Sequence, residues 1–186
     1  MNINNSTKSI LKIFLFWRSS LFILAFIGGK FLPFGYKFPY VDQILMRSGL
    51  PPVIWSFANF DGVHYLTIAK VGYEAMYTQA FFPLYPILIS FLNPVFLGNI
   101  IVSGIFISNL AFILSLIALY KILAIDYKLE KIKWVFIFLF LFPTSFYFVS
   151  IYTESLFFLF ILNSFFFARK DKWLLAAIFG FLASLT

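Results

Sequence analysis

The sequence predicts an all-α fold, a polytopic bundle of helices held in a membrane. Three observations carry that prediction. Hydrophobic residues make up 62% of the 186 residues and charged residues 11%, at a mean hydropathy of +0.97, whereas a water-soluble domain lies near about 45–50% and about 25%. Apolar runs of the order needed to cross ~30 Å of hydrocarbon recur along the chain. Ten of the fourteen basic residues sit in three short segments flanking those runs. A soluble globular chain is excluded, and so is a disordered one, which needs the opposite balance. The 29 Phe residues exceed what one small aqueous core can hold. No Cys is present, so there is no disulfide framework, thiolate metal site or Cys nucleophile. The net charge of +7 is not a nucleic-acid signal, because the clustered cations act as topology markers.

Taken in order, the first span runs over Ile13–Phe34. Lys8, Lys12 and Arg18 precede or open it, with Arg18 expected to snorkel to the inner surface. No small-x-small cleavage site follows, since Gly28-Gly29-Lys30 matches weakly, and the segment reads as an uncleaved signal anchor. From Lys30 to Glu74 the charges and Pro33, Pro39, Pro51 and Pro52 mark a loop region with short helices. Asn99–Tyr120 is a clean second span, and Phe82–Leu97 is shorter and holds three prolines. Trp134–Ala168 is apolar except for Glu154, and Trp173–Thr186 begins a further run.

Positive charge then fixes the sides. The three basic segments, around Lys8–Arg18, Lys121–Lys133 and Arg169–Lys172, are cytoplasmic by the positive-inside rule. An even number of crossings must separate them, so Phe82–Leu97 is read as interfacial or re-entrant on the outer side. Trp134–Ala168 is a hairpin turning near Ser150–Ser155, its tip below the outer surface in a cavity. The predicted spans are about 13–34, 99–120, 134–150, 153–169 and 173–186, with an outer loop over 35–98. The last run is 14 residues, ~21 Å of helix, too short to cross. The expectation is therefore a single membrane domain over 1–186, the N-terminal part of a longer chain cut in its fifth span. The N-terminus is expected in the cytoplasm.

Two carboxylates stand out. In Phe60-Asp61-Gly62-Val63-His64-Tyr65, Leu66, Ile68 and Ala69 with Tyr65 predict a short amphipathic helix ending at Gly72, a C-cap residue. Asp61 starts it, and His64, the only His, lies three residues on and so on the same face. One reading is a general base with a partner that orients it or binds an anion. The other is Asp61 as an N-cap and His64 as an interfacial side chain. Glu154, in Ser150-Ile-Tyr-Thr-Glu-Ser155, costs ~2.5–3.5 kcal/mol at membrane depth and is expected to face a cavity or partner. Its alternative is a helix-start carboxylate favoured by the dipole. Tyr152 and Thr153 can share its hydrogen bonds. Ala80-Phe-Phe-Pro-Leu-Tyr-Pro86 reads as an aromatic interfacial anchor. No phosphate-binding glycine loop, zinc pattern or Ser-His-Asp spacing occurs.

Three blocks together resemble the PIG-V-like family, the GPI mannosyltransferase 2-like group of GT-C type membrane glycosyltransferases. They are Phe60–Tyr65 through Ile68-Ala69 and Gly72-Tyr73, then Ala80–Pro86, then Phe142-Pro143-Thr144-Ser145-Phe146 through Tyr152–Phe157. Order and spacing match as well. Phe60 departs from the Trp usual in relatives, and Ala183–Thr186 resembles the start of a further block. The resemblance implies a GT-C-like bundle with short helices in the first extracytoplasmic loop. It implies transfer of a sugar, typically mannose, from a polyprenyl- or dolichyl-phosphate donor to a lipid or glycan acceptor, as in glycolipid or GPI-like biosynthesis. Carried over, Asp61 is the catalytic base, and His64, Tyr65, Tyr152 and Glu154 bind substrate. No cofactor is implied beyond the lipid-phosphate-sugar substrate, and a metal requirement is left open. Two other classes remain in view, a transporter or lipid carrier and a non-catalytic membrane scaffold. The Phe-, Ile-, Lys- and Asn-rich composition points to an AT-rich genome and a prokaryotic plasma membrane rather than the endoplasmic reticulum.

Overall fold

A long unbroken apolar stretch free of proline favours helix, and in hydrocarbon a helix is the only single-segment way to satisfy the backbone. The computed structural model describes residues 3–32 and 39–186, with side chains of the first helix from Thr7 onward. Pro33, Lys37 and the expected end of the first span at Phe34 lie outside the described residues. No strand occurs among those described.

Helix α1 covers Ile3–Phe31, 29 residues or about 43 Å, and begins ten residues before the apolar run does. It leads to a region of short helices, α2 (Val41–Ile44), α3 (Pro52–Trp55), α4 (Asp61–Val71) and α5 (Leu84–Leu92). Helix α6 follows over Ile100–Asp126, 27 residues or about 40 Å. Asn99 caps it, its Oδ1 accepting the Val102 N–H at 3.1 Å. Among the described residues, α1 over Thr7–Phe31 and α6 are the two helices long and apolar enough to cross a membrane.

Helices α7 (Leu129–Leu141) and α8 (Glu154–Ala168) have 13 and 15 residues, about 20 and 22 Å. Both fall short of the ~30 Å hydrocarbon layer. Pro143 disfavours further helix at Phe142, and an irregular turn over 150–153 leads into α8. Helix α9 covers Trp173–Ser184 and returns along α8. The Leu84 N–H meets the Leu185 carbonyl at 3.1 Å, so the end of α9 joins the start of α5.

Small residues decide how close these helices come. Gly104, Ser108, Ala111, Ser115 and Ala118 are buried on α6 at alternating spacings of four and three, one helical face. That face lets neighbouring backbones approach, and α8 packs along α6. At one end of the bundle Ile10 and Phe14 of α1 pack with Leu116, Ile132 and Phe136, and Arg169 forms a two-pronged ion pair with Asp126 at 2.8 and 2.9 Å. The three basic segments therefore share that end. The short helices gather at the other.

Two expectations are corrected. Arg18 does not snorkel: it is 6% exposed, its guanidinium lying against the Phe22 and Phe57 rings at 4.1 and 4.2 Å from their centroids. Because α1 starts at Ile3, Arg18 lies about 22 Å along it, beyond reach of that end, and stacking on aromatic faces replaces hydration. Nor is α4 amphipathic. Gly62, Val63, Tyr65, Leu66, Thr67 and Ile68 are all buried, because α2, α5 and α6 surround the helix.

Candidate functional site

The site begins with a reversal of the chain. Asn59 is extended, and Phe60 then takes φ 58°, ψ −120°, a conformation that L residues rarely adopt and that costs on the order of 1–3 kcal/mol. That turn makes Asp61 the first residue of α4. The N-cap position falls to Phe60, whose side chain has no oxygen, so Asp61 is not the cap. Its carboxylate is exposed and accepts no hydrogen bond among the described residues. The helix dipole favours its charge at this position.

The 150–154 turn is laid directly against this reversal. The Ile151 N–H donates to the Phe57 carbonyl at 2.8 Å. Tyr152 Oη donates to the Asn59 carbonyl at 2.8 Å, and the Asp61 backbone N–H faces the same phenol oxygen. Gly62 makes the approach possible: a Cβ there would lie 3.0 Å from the Ile151 carbonyl oxygen. From the far side Gly104 admits the Ile151 side chain, at 3.1–3.2 Å from where its own Cβ would be. Tyr65 Oη lies 3.5 Å from Thr153 Oγ1.

His64 is held by aromatic rings. It stacks on Phe81 at 4.9 Å and meets the edge of Tyr40 at 6.1 Å. Burial lowers its pKa below the usual 6.5, and the weaker pull of Asp61 in the other direction does not reverse this. The imidazole is thus neutral at pH 7. Burial raises the Tyr65 phenol, which stays protonated. Below them Tyr85 is fully buried, its hydroxyl donating to the Gly104 carbonyl at 3.0 Å and sharing a 2.6 Å hydrogen bond with Ser108 Oγ.

The structure brings the five sequence-predicted residues together. The Asp61 charge reaches His64, Tyr65, Tyr152 and Glu154. Glu154 is the first residue of α8 and also turns Oε2 inward, where it is inaccessible and without a partner. His64 Nδ1, Asn59 Oδ1 and Ser155 Oγ are likewise buried and unpartnered. Buried polar atoms are nearly always hydrogen-bonded, so these four orphans are hydrogen-bonding capacity that the packing leaves unused. Among the described residues no three of His, Cys, Asp and Glu form a metal-ligand set.

Sequence reasoning missed several members. Asn59 precedes the Phe60–Tyr65 motif by one position, and Ser155 lies within the Tyr152–Phe157 block but carries no pattern of its own. Phe81 and Tyr85 belong to the block read as an interfacial anchor; Phe81 instead supports His64, and Tyr85 ties α5 to α6. Ser108 was signalled only by the small-residue spacing on α6.

Comparison with known proteins follows from the whole chain. A family profile described as Mannosyltransferase (PIG-V) matches residues 39–183, which include all three blocks. No curated protein and no solved structure matches significantly.

Proposed function

The chain belongs to the PIG-V mannosyltransferase family, and from that premise we propose that it moves mannose from a polyprenyl- or dolichyl-phosphate donor to an acceptor hydroxyl, with Asp61 as general base. The observation that carries this reading is the Asp61 carboxylate: exposed, free of hydrogen bonds among the described residues, and within electrostatic reach of His64, Tyr65, Tyr152 and Glu154. A base must be open to the proton that it takes, and a carboxylate serving as a cap or ion-pair partner is not.

In the proposed step the acceptor oxygen attacks the anomeric carbon as the bond from that carbon to phosphate oxygen breaks. The electron pair leaves with the lipid phosphate, the sugar inverts, and the hydroxyl proton passes to Asp61. Phosphate is already a good leaving group, so the protein's task is positioning. Neutral His64 can hydrogen-bond the acceptor or the donor phosphate. Tyr65, Tyr152 and Glu154 bind sugar hydroxyls. The basic segments gather at the far end of the bundle, and on the positive-inside rule that end is cytoplasmic and the site extracytoplasmic. The composition supports a prokaryotic plasma membrane.

The test incubates the protein in nanodiscs with radiolabelled polyprenyl-phosphate-mannose and a crude lipid extract, alongside Asp61→Asn. Label should move to a new product with wild type and fall by about 10²–10⁴ in the variant, the range for loss of a positioned base, with unfolding unchanged. Transfer by both proteins removes Asp61 from the base role. Transfer by neither removes the assigned donor.

A further inference from the structure

A separate cavity of about 760 Å³ lies between α2, the C-terminal half of α4, the end of α5 and the start of α6. Arg47 and Lys70 stand on its walls, together with Tyr40, Thr67, Asn93 and Asn99, and no acidic residue is among the described residues that line it. Asp42 and Glu74 lie on the same segments but do not line it. Neither cation is in an ion pair among the described residues. The positive end of α6 opens on the same space at Asn99, Ile100 and Ile101. These features select an anion.

A second observation says what the anion is attached to. Ile87, Phe91, Val95 and Leu97 form an exposed apolar ridge on α5 and the turn after it, directly beside Asn93, Gly98 and Asn99 of the cavity. Leu97 is 98% exposed and held out by a left-handed backbone, φ 55°. Such a ridge is unfavourable in water and suited to hydrocarbon.

We propose that this cavity binds the phosphate-bearing headgroup of a membrane lipid whose hydrocarbon lies along the α5 ridge. Tyr40 joins the two sites. Its ring meets His64 at 6.1 Å, it also lines the cavity, and its hydroxyl is fixed by the Met76 backbone N–H at 3.0 Å. A headgroup in the cavity thus lies one aromatic ring from the Asp61 cluster. The inference rests on the transferase reading only in placing this end of the bundle at a membrane surface.

The test titrates dioctanoyl phosphatidic acid onto the whole detergent-solubilised chain by calorimetry, with dioctanoylglycerol and inorganic phosphate as controls. Phosphatidic acid should bind saturably and more tightly than either control. Arg47→Gln/Lys70→Gln should weaken it by at least about tenfold, since charge-assisted contacts to phosphate are worth that or more. Arg47→Lys/Lys70→Arg, which keeps both charges, should restore it. Equal binding by the Gln pair, or by dioctanoylglycerol, overturns the proposal; if the pair does not fold, the two single Gln variants decide in its place. Polyprenyl phosphate as competitor assigns the source. Displacement means that the donor phosphate sits here and persistence means a phosphate of the acceptor lipid, and either outcome upholds the site. Asp61→Asn should bind phosphatidic acid as wild type does. Binding without transfer therefore defeats the assigned reaction and leaves the cavity standing, and transfer without binding does the reverse.

Discussion

Gly62→Ala asks whether the site depends on backbone-to-backbone approach between α4 and the 150–153 turn. The new Cβ meets the Ile151 carbonyl oxygen at 3.0 Å and the Ala58 Cβ at 3.6 Å. Propensity alone favours Ala over Gly inside a helix by about 1 kcal/mol. Against this, the turn must retreat by a few tenths of an ångström, and overpacking of this kind costs about 1–3 kcal/mol. Retreat also stretches the Ile151–Phe57 and Tyr152–Asn59 hydrogen bonds, both 2.8 Å, each worth about 0.5–1.5 kcal/mol net. The expected balance is a loss of about 1–2 kcal/mol. Function should suffer more, because misplacement of about 1 Å at a reacting centre can lower rates ~100-fold. Gly104→Ala is the control, since its Cβ meets only the Ile151 side chain, at 3.1–3.2 Å, which can turn aside. Thermal unfolding in detergent and mannose transfer are measured for both variants. A Gly62→Ala protein that melts higher and transfers mannose at the wild-type rate would refute the argument.

Other expectations follow from the same geometry. His64 has a folded pKa below its unfolded 6.5, so its contribution to stability is present above pH 6.5 and is lost as pH falls through the folded value; His64→Phe should flatten that part of a melting-temperature profile, and an unchanged profile would show the imidazole to be exposed. Arg18 carries an unpartnered buried guanidinium, NH1 and NH2 both orphaned, whose desolvation runs to several kcal/mol against about 2 kcal/mol for each desolvated aromatic contact. Arg18→Met should therefore melt at or above wild type and well above Arg18→Lys, which keeps the charge and loses the planar guanidinium's contact with the Phe22 and Phe57 rings; Lys outlasting Met would contradict this. Tyr85→Phe removes a buried hydroxyl bonded to Gly104 and Ser108 and should destabilise by about 1–3 kcal/mol, read by denaturation; a neutral outcome would mean that the α5–α6 tie is apolar only.

Much of the architecture was legible because hydropathy and charge clustering are local properties. The helix cores of α1, α6, α8 and α9, the start of α4 at Asp61 and its stop at Gly72 all follow from patterns within a dozen residues. Gly72 indeed ends α4 with φ 76° and an N–H bonded to the Ile68 carbonyl at 2.8 Å. The early start of α1 was not legible, because its polar first turns resemble a tail and are helical only by continuity with the apolar run. Arg18 was misread for the same reason. A cation near an apolar stretch signals an interface until the register of the helix is known.

Within the candidate site the division is clearer still. Asp61, His64, Tyr65, Tyr152 and Glu154 could be named from the chain, because carboxylates, a lone His and matching blocks are visible as letters. Their convergence was not, since Asp61 and Tyr152 meet only through the Ile151–Phe57 pairing and the close approach at Gly62. Membrane residence, helical class and family were fixed by composition and short motifs, which need no knowledge of distant contacts. The burial of α4, the aromatic contacts of Arg18, the support of His64 by Phe81 and the orphaned atoms of Asn59, His64, Glu154 and Ser155 were decided by tertiary packing. Each depends on which of many apolar surfaces meet, and apolar attraction is too unspecific for sequence to choose among them without the geometry of the small residues.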